Sequence, residues 1–206
     1  MPRLLVLGTR NQKKLGELIG LLGPHGIELR TLADYPNSIE VDETGSTFAE
    51  NAALKAVQQA QRLNAWVLGE DSGLSVDALG GAPGVYSARF SGANATDAKN
   101  NELLLAKLQG VPIEKRTAHY TCHATLSDPT GQIHADVEDY CPGRIRFEPL
   151  GSGGFGYDPL FEVVEYGRTF GELPNEIKAE ISHRAKAIKR LVPLILDLVK
   201  SGAWSE

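Results

Sequence analysis

The chain has 206 residues, enough to bury a core without disulfide or metal staples and suited to one domain, or one domain with two lobes. Its 26 acidic and 21 basic side chains give a formal net charge of -5, so it lacks the cationic excess of a surface that coats nucleic-acid phosphates, and an anionic substrate would need locally clustered cations or a divalent metal. No apolar run approaches the roughly eighteen residues of a membrane helix, and Leu4 to Leu7 is too short for a signal-peptide core, so the expected compartment is the cytoplasm.

Arg3 to Gly8 reads as a buried strand, and the helix after it carries Leu15, Leu18, Ile19 and Leu22 at i, i+3, i+4 and i+7 until Gly23-Pro24 stops it. A strand over Ile27 to Leu32 follows, then a polar, acidic loop to Ser46. The next helix opens with a capping box, Thr47 and Glu50, and lines one face with Ala49, Ala52, Ala53, Ala56, Val57, Ala60 and Leu63, a stripe of small residues suited to close packing. Trp66 to Gly69 is a short apolar strand, which puts Glu70 and Asp71 at its carboxyl end, the edge where open α/β sheets bind ligands.

A helix over Thr96 to Leu108 is closed by Gly110 and Pro112. From Thr117 the pattern turns to period two, with Ala118, Tyr120, Cys122, Ala124 and Leu126 on one side, and a turn at Asp128 to Gly131 makes an antiparallel hairpin. In that register Cys141 lies about 13 Å along the strand from Cys122, beyond disulfide reach, and free thiols fit a reducing compartment. His119 and His123 are too far apart on a strand to share a metal and are expected at the surface or in a groove; His25 and His134 have no companions that suggest catalysis. A glycine-rich loop, Gly151 to Gly156, a strand over Leu160 to Val164 and a closing helix from Ser182 to Lys200, kinked at Pro193, complete the chain. No repeat or interdomain linker interrupts residues 1–206.

Chemistry-bearing residues recur at element ends. Thr9-Arg10-Asn11 with Lys13 and Lys14 is neither a dinucleotide fingerprint nor a Walker loop; it is either an ordinary helix cap with solvated lysines or an anion-binding helix entry. Asp42 and Glu43 are either a solvated acidic loop or, with Glu70 and Asp71, oxygen ligands for a hard cation such as Mg²⁺. Two adjacent carboxylates repel each other unless a cation or donor sits between them, which favours the second reading for Glu70 and Asp71. Phe155-Gly156-Tyr157-Asp158 pairs backbone freedom with aromatic rings, either to stack on a planar base or to plug the core. Ser182 either simply caps an amphipathic last helix with Arg184 in water, the commoner case for such a motif alone, or aims that helix's amino end, with His183 and Arg184, at a carbonyl or phosphate.

Taken together, Thr9 to Lys14, Thr44-Gly45 with Thr47 to Ala52, Asp71 to Arg89, Gly153 to Pro159 and Ser182 to Arg184 resemble the inosine triphosphate pyrophosphatase family, also called non-canonical purine nucleoside triphosphate pyrophosphatases. The likeness spans Leu5 to about Leu196. It implies an elongated mixed β-sheet flanked by helices, two lobes with a central nucleotide-binding cleft, and a homodimer, for which Trp204 is a candidate partner contact. It also implies Mg²⁺-dependent hydrolysis of ITP, dITP and XTP to the monophosphate and pyrophosphate. By position, Thr9, Arg10, Asn11, Gln12, Lys13 and Lys14 resemble the triphosphate loop, with Lys14 also stabilising the leaving group. Asp42, Glu43, Glu70 and Asp71 resemble the metal site, and Asp71 the proton acceptor. Ser72, Phe155, Gly156, Tyr157, Asp158, Lys178, His183 and Arg184 resemble the nucleotide contacts; His183 and Arg184, or nearby backbone N–H groups, are the candidates for the contact to O6 of the base. Arg10 stands where the family usually has Gly, Asp42 where Glu is common, and Glu70 where many bacterial members have Asp. Neither nucleic acid nor membrane is an expected partner. The rival readings are a related Maf-type pyrophosphatase with other base preferences, a nucleotide sensor that does not cleave, and an RNA-binding sheet using His119, Tyr120 and His123, which the negative charge disfavours.

Overall fold

The computed structural model describes residues 3–204, apart from the side chains of Gln12 and Lys13. In order the elements are β1 (Arg3–Leu7), α1 (Gln12–Leu22), β2 (Ile27–Thr31), α2 (Phe48–Leu63), β3 (Val67–Val76), α3 (Asp97–Lys107), β4 (Thr117–Ser127), β5 (Ile133–Ile145), β6 (Phe161–Val163), β7 (Arg168–Thr169), α4 (Asn175–Ile181) and α5 (His183–Lys200). The strands form a mixed sheet in the order β2-β1-β3-β4-β5-β6-β7, flanked by helices, as expected for an α/β chain. Contacts divide the chain into two compact units, one made of residues up to Asp71, Cys122–Asp139 and from Arg184 onward, the other of Ser72–Thr121 and Tyr140–His183. None of the described helices is long and apolar enough to cross a membrane.

In the first unit β1 pairs in parallel with β2 from Arg3 opposite Ile27 to Leu7 opposite Thr31, and with β3 at Val6–Val67 and Leu7–Leu68. Leu5, Leu7, Leu18, Leu22, Leu68 and the α5 residues Ala187, Ile188, Leu191 and Ile195 bury one another. Ile19 departs from the expected stripe and is 51% exposed, because α1 meets the core along Leu15, Leu18, Leu21 and Leu22 instead. Helix α2 begins at an N-cap whose Thr47 hydroxyl accepts from the Glu50 N–H, and the Glu50 carboxylate also accepts from the backbone and hydroxyl of Ser46. The alanine stripe does bring backbones together. A Cβ on Gly69 would stand 2.2 Å from the Ala52 carbonyl oxygen and 2.5 Å from the Ala56 nitrogen, so glycine there is what lets α2 rest directly on β3.

Two expectations for this unit are corrected. Trp204 is 3% exposed and stacks on Trp66 with centroids 4.5 Å apart, so the chain's own core takes it and it offers no face to a partner. His123 is buried, held between Asp136 and Glu138 of β5, and His134 pairs with Asp128.

In the second unit β6 pairs antiparallel with β5 and with β7, and Leu74, Leu104, Leu108, Tyr120, Phe161 and Phe170 centre its core. Helix α4, unforeseen in the sequence, is a seven-residue segment starting directly after Pro174. Helix α5 runs on without interruption through Pro193. Cys122 and Cys141 are both free and buried.

Candidate active site

Strand β3 does not stop at Gly69; Ser72 to Val76 extend it, so Glu70 and Asp71 lie within a strand. The pairing with β1, however, ends at Leu68. The two acids therefore begin where the parallel neighbour gives out and turns into the Thr9 to Asn11 loop. Because successive side chains on a strand point to opposite faces, Glu70 and Asp71 do not face each other and meet different partners.

Asp71 lies on the same face of β3 as Gly69, the face covered by α2. The close approach of α2 at Gly69 carries Asn51 and Lys55, one turn apart, to its carboxylate: Lys55 Nζ is 2.8 Å from Oδ1 and Asn51 Nδ2 donates to Oδ2 at 3.3 Å. Lys55 also reaches Glu43 Oε2 at 3.3 Å, so one ammonium bridges two carboxylates. Asp71 is 7% exposed, and that burial pushes its pKa above the usual aspartate range; Lys55 opposes the shift and Glu43 adds to it.

Glu70 points to the side of α1 and α5. Its Oε1 accepts from Arg184 Nε and Nη2 at 3.2 and 2.8 Å and from the Cys122 thiol at 3.4 Å, and its Oε2 lies 3.1 Å from Lys14 Nζ. Arg184 also pairs with Glu17 on α1. Burial disfavours the charge on that guanidinium, but the two carboxylates more than offset it and raise its pKa, while the same burial and Glu70 push the Cys122 thiol well up. At the entry to α1, Asn11 Oδ1 accepts from the Lys14 N–H at 3.4 Å and Thr9 Oγ1 from the Asn11 N–H at 3.1 Å, an ordinary cap that also fixes the loop. Arg10 is exposed and bonded to Ser38. The side chains of Gln12 and Lys13 lie outside those described.

The four acids do not form one cage. Asp42 is exposed, Glu43 and Asp71 converge on Lys55, and Glu70 is turned to the opposite face; among the described residues no three His, Cys, Asp or Glu side chains gather as a metal site. A pair of oxygen donors converging on a cationic group still fits Mg²⁺, which keeps several waters and is bound through one or two carboxylates plus substrate phosphates rather than by an all-protein cage.

In the second unit the loop before β6 has two glycines, Gly151 and Gly154, at which a Cβ would meet a neighbour closer than contact allows. Gly154 has φ +74°, and a Cβ there would lie 2.0 Å from Asp158 Oδ2. That Asp158 oxygen accepts from the Phe155 N–H at 2.8 Å and pairs with Lys178 Nζ at 2.7 Å. The Lys178 ammonium sits 4.8 Å from the half-buried Phe155 ring. Two of the four loop residues thus serve the loop itself. Asp158 organises it from a buried ion pair, and Tyr157, 3% exposed with its hydroxyl donating to the Ser87 carbonyl at 2.8 Å, anchors it in the core. Phe155 is the half-buried ring of the loop, faced by the Lys178 ammonium. His183 is buried and stacks on Tyr120, centroids 4.7 Å apart and planes at 10°. Ser182 is the extended residue between α4 and α5, and Ser72 is half-buried on β3.

Lys55 was not singled out from the sequence. The available signal was a lone lysine, four residues after Asn51, on the inward face of an alanine-rich helix.

A sequence model of the Ham1 family matches residues 5–194. The chain is 51% identical over 201 residues to a dITP/XTP pyrophosphatase of Rhodopirellula baltica, covering 98% of this chain and 97% of that one. It is 49% identical over 187 residues to a dITP/XTP pyrophosphatase of Geobacillus kaustophilus, 91% of each. Among solved structures, a HAM1 protein from Coxiella burnetii superposes with a TM-score of 0.86 at 36% identity, and the Staphylococcus aureus Ham1 protein with 0.84 at 36%, each over 95% of this chain and 99% of its own.

Proposed function

Because the chain belongs to the Ham1 family, we propose that it hydrolyses the non-canonical purine nucleoside triphosphates ITP, dITP and XTP to the monophosphate and pyrophosphate, removing them before they enter DNA or RNA. The single observation that carries the chemistry is Asp71, a buried carboxylate held above the ordinary aspartate range yet fixed by Lys55 and Asn51. A carboxylate raised in this way is a stronger proton acceptor than an ordinary aspartate once it is ionised. Relatives that are about half identical over nearly the whole chain and are named dITP/XTP pyrophosphatases support the substrate class.

Hydrolysis at the α-phosphorus needs in-line attack by water and neutralisation of the departing pyrophosphate. Asp71 accepts the proton of the attacking water, with Lys55 and Asn51 fixing the lone pairs that receive it. Lys14, at the entry of α1, and the backbone N–H groups of the Thr9 to Asn11 loop take the polyphosphate. Glu43 and Asp71 are the residues that would hold Mg²⁺, which when bound would polarise phosphate oxygens and make water more acidic, while Glu70 on the opposite face holds Lys14 and Arg184. No covalent intermediate enters.

Phe155 supplies a stacking face for the base. Hypoxanthine and xanthine present O6 as an acceptor and N1–H as a donor, whereas adenine presents an amino donor and a bare ring nitrogen. A site paired to the first pattern leaves buried groups unmatched against ATP, at about 1–3 kcal/mol for each mismatch. With Arg184 engaged by Glu70 and Glu17, the O6 contact falls to His183 and neighbouring N–H groups, and Arg184 acts by holding Glu70. A cytoplasmic homodimer belongs to the same proposal.

The test is release of pyrophosphate and of orthophosphate from ITP, dITP, XTP, GTP, ATP, UTP and dTTP, each with Mg²⁺ and with chelator. Pyrophosphate alone, fastest from the first three and absent with chelator, is expected. A preference for UTP, dTTP or ATP would reject the base assignment, and intact ITP beside the protein and Mg²⁺ would reject hydrolysis.

A further inference from the structure

Helix α3 does something for the second unit that packing alone does not require. Its first turn is capped by Thr96, whose hydroxyl accepts from the Lys99 N–H at 3.2 Å. From the next positions two side chains, Asp97 and Asn101, i and i+4 on one face, close on a single residue of the glycine-rich loop. Asp97 Oδ2 accepts from the Gly156 N–H at 2.9 Å, and Asn101 Nδ2 donates to the Gly156 carbonyl at 3.0 Å. Gly156 has φ +61°, a left-handed turn that glycine enters without strain. Both polar atoms of the residue directly after Phe155 are therefore held from one helix. The residue before the grip is also fixed, since Phe155 donates its own N–H to Asp158.

Asn101 keeps this bond at a cost to itself. Its Oδ1 is buried and has no hydrogen-bond partner among the described residues. A buried acceptor left unpaired is unfavourable, and an apolar side chain of similar shape would avoid it. The fold gains nothing from the oxygen, so the amide is retained for its NH₂ group and for what that group restrains.

We propose that Asp97 and Asn101 are positioning residues for nucleobase binding, gripping both polar atoms of Gly156 so that the Phe155 ring is preset in its stacking pose. This rests on the reading of Phe155 as the base platform. Neither residue touches the substrate; each acts through the loop, cutting the ordering that binding would otherwise have to supply.

The experiment measures kcat, KM for ITP and thermal midpoint for Asn101→Leu, Asp97→Ala, Asp97→Asn, Phe155→Ala and the double variant Asn101→Leu/Phe155→Ala. Asn101→Leu removes both the orphaned oxygen and the bond to the Gly156 carbonyl, opposing effects that should leave its thermal midpoint close to the parent's, while raising KM about fivefold with kcat within about twofold, the loss of one net hydrogen bond's worth of binding. Asp97→Ala should raise KM similarly, and Asp97→Asn, which keeps an acceptor for the Gly156 N–H, should restore it. If the effect passes through the ring, Asn101→Leu adds nothing once Phe155 is alanine. An elevated KM in Phe155→Ala with parental KM in Asn101→Leu and Asp97→Ala overturns this proposal alone, as does full additivity in the double variant or a joint fall in kcat and melting temperature at constant KM. A parental KM in Phe155→Ala overturns the platform reading and this proposal with it.

Discussion

Replacing Lys55 with methionine probes the centre of the site without touching the proton acceptor. The side chain keeps its length and loses the ammonium that lies 2.8 Å from Asp71 and 3.3 Å from Glu43. What remains is a buried carboxylate with one neutral donor, Asn51, facing a second carboxylate. Removing one partner from a buried pair costs about 3–5 kcal/mol; the 33% exposure of the Glu43 side chain and the surviving Asn51 bond reduce this, so we expect a loss of about 2–3 kcal/mol in urea unfolding at pH 8. The sign of the pH effect follows from the causes of the Asp71 shift. Burial and Glu43 raise its pKa and Lys55 lowers it, so without Lys55 the pKa rises further. A raised folded pKa means stability that is present at low pH and is lost as the pH climbs through that value, so the variant's deficit should shrink on acidification. For catalysis the direction is opposite, because the reactive form is the carboxylate. In the parent, kcat/KM should fall on the acid side above the ordinary aspartate range, and Lys55→Met should move that limb to higher pH. An unmoved acid limb together with a stability loss below about 0.5 kcal/mol, the range of an ordinary surface change, would refute the bridge as an electrostatic element.

Asp71→Asn should lower kcat by at least about a thousandfold while equilibrium binding of ITP with Mg²⁺ survives in part; near-parental turnover would remove the general-base role. Gly69→Ala inserts a methyl 2.2 Å from the Ala52 carbonyl and should destabilise by about 1–3 kcal/mol, with activity falling alongside because α2 carries Asn51 and Lys55. A stable, active alanine variant would show that α2 can retreat without consequence. Trp204→Ala should cost about 3–5 kcal/mol with no change in oligomeric state by light scattering, since that ring is spent on Trp66 within one chain.

The element order was readable where periodicity was strong, as in the first strand and helix, the alanine-rich helix and the period-two hairpin. Less legible was anything decided by a tertiary neighbour. Apolar character ends at Gly69, so the strand seemed to end there, yet hydrogen bonding carries it through Ser72 and Ser75 to Val76. That error hid the alternation of Glu70 and Asp71 and with it the absence of a shared four-acid cage. Arg184 and Lys55 look like solvated cations in sequence, because burial of a charge is set by carboxylates distant along the chain, Glu17 and Glu70 for the one, Glu43 and Asp71 for the other. Phe155 to Asp158 could be recognised as a unit, but which aromatic ring is anchored in the core depends on the Ser87 carbonyl that claims Tyr157.

Consecutive acids aimed at opposite sides of one strand make chain spacing as constraining as residue identity. Inserting or deleting a single position between Val67 and Asp71 would exchange the two carboxylates, presenting the longer one to Lys55 and the shorter one to Arg184, and would drive a side chain into the place where Ala52 and Ala56 meet glycine. The five-residue stretch ought therefore to accept conservative replacement more readily than any change in length, whereas the acidic segment ahead of Thr47, outside helix and strand, has no such parity to keep.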